Sequence, residues 1–394
     1  VRQKMPSYAR YHTPEMRAFE GEGCFEALPA ELDRLGCASA VIVCGRSMAR
    51  DERLLALIRR PLGSRLDGIC ADVRPHSPLS AVQAVARYLR SSGTQCVIAV
   101  GGGSAIVTAR AASILRAEDG DVASLCTQWL ADGSMRSPRL VADKMPQIVV
   151  PTTPTTAIPK AGSAMLDEAS GARMALFDPK TRARSVFLHP AFTASAPLAL
   201  LHSAAFNSLA LAVEGLLSRT AHPLSDAALV HAAGGLYRSL AQGGALASPA
   251  ERRDLIWYAI QAGQGSDHTG AGMCIPIGHA ISSMFDIDNG IANAIVLPHV
   301  LRFNAPSARR GIELLASALR VDGGGTDAGV AAVARALTQL AAATAYPSRL
   351  RDAGVARERL PDIAAVAMRD WYLRNNPVRI EHPGQIEAVL RDAW

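Results

Sequence analysis

Two short segments carry residue types suited to a phosphorylated ligand. Gly101-Gly102-Gly103-Ser104 follows the apolar run Cys96 to Val100 and precedes a helical stretch, Ala105 to Leu115. Successive glycines let backbone N–H groups approach a phosphate. The helix behind them offers unpaired N–H groups and the positive end of its dipole. Ser104 adds a hydroxyl donor. The segment lacks the GxGxxG and GxxxxGK[ST] spacings, so a glycine turn without a ligand is the competing reading. Pro151-Thr152-Thr153-Pro154-Thr155-Thr156 likewise closes an apolar run, Gln147 to Val150. Its four hydroxyls can line a nucleotide or acidic-substrate site, or cap their own turn. Both readings stay open on this segment alone.

The elements that must position these turns have two grammars. In the first half, strand-like runs at Ala40–Cys44, Ile69–Cys70, Cys96–Val100 and Gln147–Val150 alternate with helical stretches near Ala49–Ile58, Leu79–Leu89 and Ala105–Leu115. That alternation predicts a parallel sheet with both faces covered. In the second half, Ala/Leu-rich stretches at Ser203–Leu217, Leu224–Leu240, Glu251–Gly263, Gly311–Leu319 and Ala328–Ala342 have the spacing of buried helices. The fold class is α/β followed by all-helical, with domains over residues 1–198 and 199–394 and a ligand cleft expected between them.

Composition narrows the classes. The 394 residues are 49% hydrophobic and 19% charged, which excludes a largely disordered chain. The net charge of +6 comes mostly from dispersed arginines, with no reading element for a nucleic acid. Seven cysteines show no CxxC pair, so reduced, buried thiols are expected rather than a zinc knuckle. No secretory pattern and no run of 18 apolar residues is present, so the expectation is a soluble, cytoplasmic protein with no membrane partner.

The two turns, together with Glu214 in LALAVEG, Gly278-His279-Ala280 and the run GIANAIVLPHVLRFN from Gly290 to Asn304, resemble the iron-containing alcohol dehydrogenase family, its maleylacetate reductase branch included. The resemblance spans nearly the whole chain. It implies an N-terminal dinucleotide-binding domain, a helical catalytic domain, and NAD or NADP bound by Gly101, Gly102, Gly103, Ser104, Thr152, Thr153 and Thr156. A homodimer joined through an edge strand near Ala18–Phe25 is a further implication. Where the family's first strand ends in a threonine-aspartate pair, this chain has Cys44-Gly45-Arg46-Ser47. Losing that carboxylate beside Arg46 and Ser47 removes repulsion of a 2′-phosphate and tips the expectation toward NADP.

The departures concern the metal. Metal-dependent members supply an aspartate and, one helical turn later, a histidine; here those positions are Asn207 and Leu211. The third ligand position is Ile275, four residues before His279, and the fourth is Asn289 in IDNG. Zinc or ferrous iron needs about three imidazole or carboxylate donors, so the expectation is no metal. A site rebuilt from His268, Cys274, Asp286 or Asp288 is the alternative. His279 matches the family's non-ligand histidine near substrate and nicotinamide; it is read as a proton donor or relay, with Asn207 and Asn289 as hydrogen-bonding partners. Arg173 or Arg184 is the candidate for an acidic group on a small-molecule substrate. Val107 and Arg110 replace the aspartate and lysine that usually follow the glycine turn, and Thr156-Ala157-Ile158-Pro159 replaces the usual end of the threonine turn.

The resulting reading is a metal-independent NAD(P)-dependent oxidoreductase for a keto, enol or alcohol substrate. The alternative is a non-redox lyase, cyclase, isomerase or hydrolase that uses the same cleft. A non-catalytic descendant is a third class.

Overall fold

Alternating apolar residues in the first half build a sheet buried on both faces. Val41, Val43, Val97, Ala99 and Val149 enter one core cluster, while Ile42, Cys44, Ile98, Val100, Ile148 and Val150 enter another. Period-two alternation between two covered faces is what a parallel sheet requires. The architecture comes from a computed structural model, which describes residues 11–130, 135–242, 246, 248–322 and 326–394.

The main sheet uses β1 (Arg17–Glu20), β2 (Ala40–Gly45), β3 (Leu66–Val73), β4 (Cys96–Gly101), β5 (Gln147–Pro151) and β8 (Ala183–Leu188). A separate antiparallel hairpin is formed by β6 (Gly162–Leu166) and β7 (Arg173–Phe177). The main sheet is parallel throughout, in the order β1-β8-β5-β4-β2-β3. The chain leaves β2 outward to β3, then returns to β4 on the other side. This reversal opens a crevice at the carboxyl ends of β2 and β4, the place where doubly wound sheets take ligands.

The last sheet strand ends at Leu188, and long helices follow from Leu198. The α/β-then-helical fold expected from sequence is the one observed. Four helices matter for the site: α1 (Gly103–Ala117), α2 (Leu198–Leu217), α3 (Cys274–Phe285) and α4 (Asn289–Asn304). Among the described residues, α2 alone is long and apolar enough to cross a bilayer, and it lies buried in the core of the helical half. All seven cysteines are buried and unpaired.

Several boundaries differ from expectation for local reasons. The helix expected from Ala49 splits into Arg46–Ala49 and Glu52–Leu62, because the Asp51 side chain accepts from Leu54 N (3.1 Å) and starts a second helix. The edge strand expected over Ala18–Phe25 is shorter, Arg17–Glu20, and is followed by a 3₁₀ turn at Cys24–Ala27. The β6–β7 hairpin was not anticipated. Its strands are five residues long, and their sequences, GSAML and RMALF, do not alternate polar with apolar residues, so they leave a weak pattern.

Candidate active site

The two turns meet at the carboxyl edge of the sheet. Gly101 and Pro151 are register partners on β4 and β5, and Thr152 N donates to Gly101 O (3.1 Å). A Cβ on Gly102 would lie 2.7 Å from Thr153 Oγ1, so only glycine lets the threonine turn seat this closely. Thr152 and Thr153 are buried against it, whereas Thr156 lies at the far end of the turn beside the helix Pro249–Thr269. Helix α1 begins at Gly103, with no side chain capping its first turn. Its leading N–H groups are therefore open to an anion. Gly45 ends β2 on the other side of the crevice, and Arg46 and Ser47 after it are exposed.

Arg110, at the family's lysine position, takes no part in this crevice. It is fully buried and donates to Gly162 O (2.8 Å) and Ala157 O (2.7 Å), tying the threonine turn to the hairpin.

A cavity of ≈ 150 Å³ lies between the halves, lined by His76, Leu166 and Arg173 from one side and His279, Ser282 and Asp286 from the other. It adjoins the glycine turn through one short segment. His76 and Ser77 both hold positive φ (59° and 49°), unusual for residues with side chains. Ser77 Oγ donates to Ser104 O (3.3 Å) and accepts from Thr108 Oγ1 (3.1 Å), which pins this turn to α1. A second cavity, ≈ 180 Å³, lies between the helices Pro223–Ala241 and Pro249–Thr269 beside Tyr258. None of the turn residues lines it.

His279 enters the first cavity with a buried carboxylate behind it. Its Nδ1 is 2.7 Å from Asp370 Oδ2, and Asp370 Oδ1 accepts from Tyr372 N (3.0 Å). With Asp370 ionised, Nδ1 carries the hydrogen and Nε2 is left to face the cavity. Burial, then the charge of Arg173, holds the imidazole below its ordinary value near 6.5; Asp370 opposes this, and Lys160 adds to it. Desolvation is the largest single influence on Asp370 and raises its carboxyl, but the charge and hydrogen bond of His279, the Tyr372 N–H and the charge of Arg173 together hold it below the usual carboxylate range. Arg173 is solvent-accessible, although protein crowds it on most sides, and it makes no hydrogen bond or close ion pair among the described residues. Arg184, the other candidate for an acidic group, faces Glu15 (3.9 Å) and does not line the cavity. The structure thus separates the two arginines.

Asp370 is a residue that sequence reasoning missed. It precedes the 3₁₀ turn Trp371–Asn375 and reads locally as a helix cap; its partner is 91 residues away.

Helix α3, which presents His279, starts on a buried carboxylate. Glu214 accepts from Gly272 N (3.0 Å), Cys274 N (2.5 Å) and Ile275 N (3.1 Å), and burial pushes its carboxyl up to about 7. Replacing Glu214 with leucine strands three buried N–H groups. The expected loss is about 3 kcal/mol or more in urea unfolding, since each orphaned donor costs about 1–3 kcal/mol. A loss under about 1 kcal/mol contradicts this account of how α3 is anchored.

The four positions that the resemblance matches to metal ligands carry, among the described residues, no cluster of metal-binding side chains. Leu211 and Ile275 are 3% exposed members of the helical core. Asn207 Oδ1 accepts from Asn293 Nδ2 (2.9 Å), and the thiol of Cys274 donates to Asn293 Oδ1 (3.7 Å). The Asn293 amide lies so close to α3 that a Cβ on Gly278 would meet it at 2.1 Å. Asn289 opens α4 with a buried Oδ1 that has no partner. Among the described residues, no three His, Cys, Asp or Glu side chains are grouped to hold an ion, so the rebuilt site from His268, Cys274, Asp286 or Asp288 is not formed. Two hydrocarbons and two neutral amides do not fit ferrous iron or zinc.

Comparison with known proteins gives the same layout. The family model "Iron-containing alcohol dehydrogenase" matches residues 15–190, and the model for the C-terminal part of the same family matches residues 203–394. Maleylacetate reductase 1 of Cupriavidus pinatubonensis (strain JMP 134 / LMG 1197) is 28% identical over 386 residues, covering 96% of this chain and 95% of that protein. A crystal structure of a 1,3-propanediol oxidoreductase superposes with a TM-score of 0.89 at 22% identity, covering 98% of this chain and 99% of the other. Sulfoacetaldehyde reductase from Bifidobacterium kashiwanohense, solved in complex with NAD+, superposes with a TM-score of 0.83 at 21% identity and covers 98% of each chain.

Proposed function

The chain belongs to the iron-containing alcohol dehydrogenase family, and we propose that within it the chain is a metal-independent, nicotinamide-dinucleotide-dependent oxidoreductase. Its substrate is a small carbonyl compound or the matching alcohol, bearing a carboxylate or similar anion. The observation that carries this reading is the adjacency of the two sites: Ser77 bonds the first turn of α1, and its neighbour His76 lines the cavity of His279 and Arg173.

The roles follow from the chemistry of the residues. The leading N–H groups of α1 with Gly101 to Ser104 hold a diphosphate, and Thr152 and Thr153 close over it. Thr156 adds a hydroxyl nearer the helical half. A bound nicotinamide dinucleotide supplies or takes up the hydride. His279 gives a proton from Nε2 to the carbonyl oxygen in reduction and takes it back in oxidation, while Asp370 steadies the imidazolium. Arg173 holds the substrate anion. Asn207 and Asn289, expected as hydrogen-bonding partners of the substrate, are not among the residues that line this cavity, and no substrate role is given to them. The open edge of β1 supports a homodimer; a sedimentation mass of one chain would overturn that.

Arg46 and Ser47, with glycine at position 45, favour NADP. NADPH should bind more tightly than NADH, and Gly45→Asp should reverse the order by roughly tenfold or more through repulsion of the 2′-phosphate. Titration of both nucleotides against both proteins tests this. Failure of wild type to bind either nucleotide at saturation overturns the oxidoreductase reading.

A further inference from the structure

The cavity holds a base as well as a proton donor. Asp370 occupies Nδ1 of His279, which lines the cavity, and among the described residues Nε2 makes no hydrogen bond, so its lone pair is available to a substrate. Across the same cavity stands Arg173, a guanidinium with no close ion pair among the described residues, and the carboxylate of Asp286 and the hydroxyls of Ser282 and Ser283 also border it. The volume, ≈ 150 Å³, is roughly that of five waters in the liquid, which fits an acid of a few carbons. A histidine oriented by a carboxylate, opposite an unpaired cation, is a proton-abstraction site in its own right.

We propose that this cavity enolises small keto acids without any nucleotide: His279 takes a proton from the carbon next to the ketone, and Arg173 holds the acid. In that step the Cα–H bond breaks and its electron pair becomes the C=C bond. The carbonyl π pair moves to oxygen, giving an enolate stabilised by the cationic and hydroxyl donors. The proton on Nε2 then returns to carbon or exchanges with water, so nothing is oxidised or reduced. The inference rests on the reading of this cavity as the substrate site, but not on hydride transfer. The neutral form of His279, favoured by its burial and by Arg173 and Lys160, is the form the step needs.

The test is proton–deuterium exchange in D₂O, followed by NMR with no nucleotide present, on 2-oxobutyrate and 4-oxopentanoate with butanone as the uncharged control. Wild type should speed exchange next to the ketone of at least one acid by about 10²-fold or more over buffer. Butanone should show no such acceleration. His279→Gln should abolish the effect. Asp370→Asn should slow it and shift its pH dependence, which a purely structural role would not do.

No acceleration on either acid overturns the inference, and equal acceleration of butanone overturns the role of Arg173. Because these outcomes compare substrates on wild type, they stand even if a variant fails to fold. If either acid is reduced with NADPH but not exchanged, the inference fails while the oxidoreductase reading survives. Exchange without any nucleotide-dependent reduction has the reverse meaning.

Discussion

Replacing His279 with glutamine should lower kcat for NADPH-dependent reduction by about 10²–10⁴-fold, the range for removal of a positioned acid–base group. Glutamine keeps hydrogen-bonding capacity and similar size but cannot carry the proton. Nucleotide affinity should stay unchanged, because the glycine and threonine turns lie on the sheet side and do not contact α3 through His279. The direction with pH follows from its environment. Burial and Arg173 hold the imidazole below its ordinary value, which favours the neutral ring. Reduction needs the imidazolium, so its kcat should rise as pH falls through that lowered value. Oxidation needs the neutral ring and should lose rate over the same interval. A His279→Gln enzyme retaining wild-type kcat would remove the histidine from the chemistry.

Arg173→Met should raise KM for an acidic substrate by about 10–150-fold, the equivalent of the roughly 1.5–3 kcal/mol that a hydrogen bond to a charged group contributes. Methionine keeps much of the aliphatic stem, so the hairpin's packing is little altered. Among the described residues the Arg173 side chain has no hydrogen bond or close ion pair to lose, although its charge acts on His279 and Asp370. The KM for an uncharged ketone of the same length should be nearly unaffected, while its pH profile moves upward because the charge of Arg173 no longer lowers the imidazole of His279. Steady-state kinetics on the two substrates separate anion binding from general damage; equal losses on both would contradict the assignment.

How much of this was legible in the sequence depends on whether the signal was local. The strands around Gly101 and Pro151 and the helices from Leu198 onward announce themselves through apolar periodicity, and the glycine and threonine turns sit where strand patterns stop. The four positions that the resemblance matches to metal ligands each lie in a recognisable segment, and in the structure Leu211 and Ile275 lie in the apolar core. What could not be read was pairing across distance. Asp370 meets His279 over 91 residues, and Asn293 meets Asn207 over 86. Nothing in RDWYLRNN marks the aspartate as more than a cap. Asn207 was expected to point its amide at a substrate, but its oxygen is already taken by Asn293, which leaves only the N–H side to donate. The choice between Arg173 and Arg184 was equally closed to sequence, because it turns on a hairpin whose short strands carry little pattern.

The most direct test of the whole account is metal analysis of active enzyme. Protein purified without chelator is assayed for iron and zinc, and its NADPH-dependent rate on a keto acid is measured before and after exhaustive chelation. The account predicts substoichiometric metal and an unchanged rate. A stoichiometric ion whose removal abolishes the rate, and whose return restores it, would contradict it.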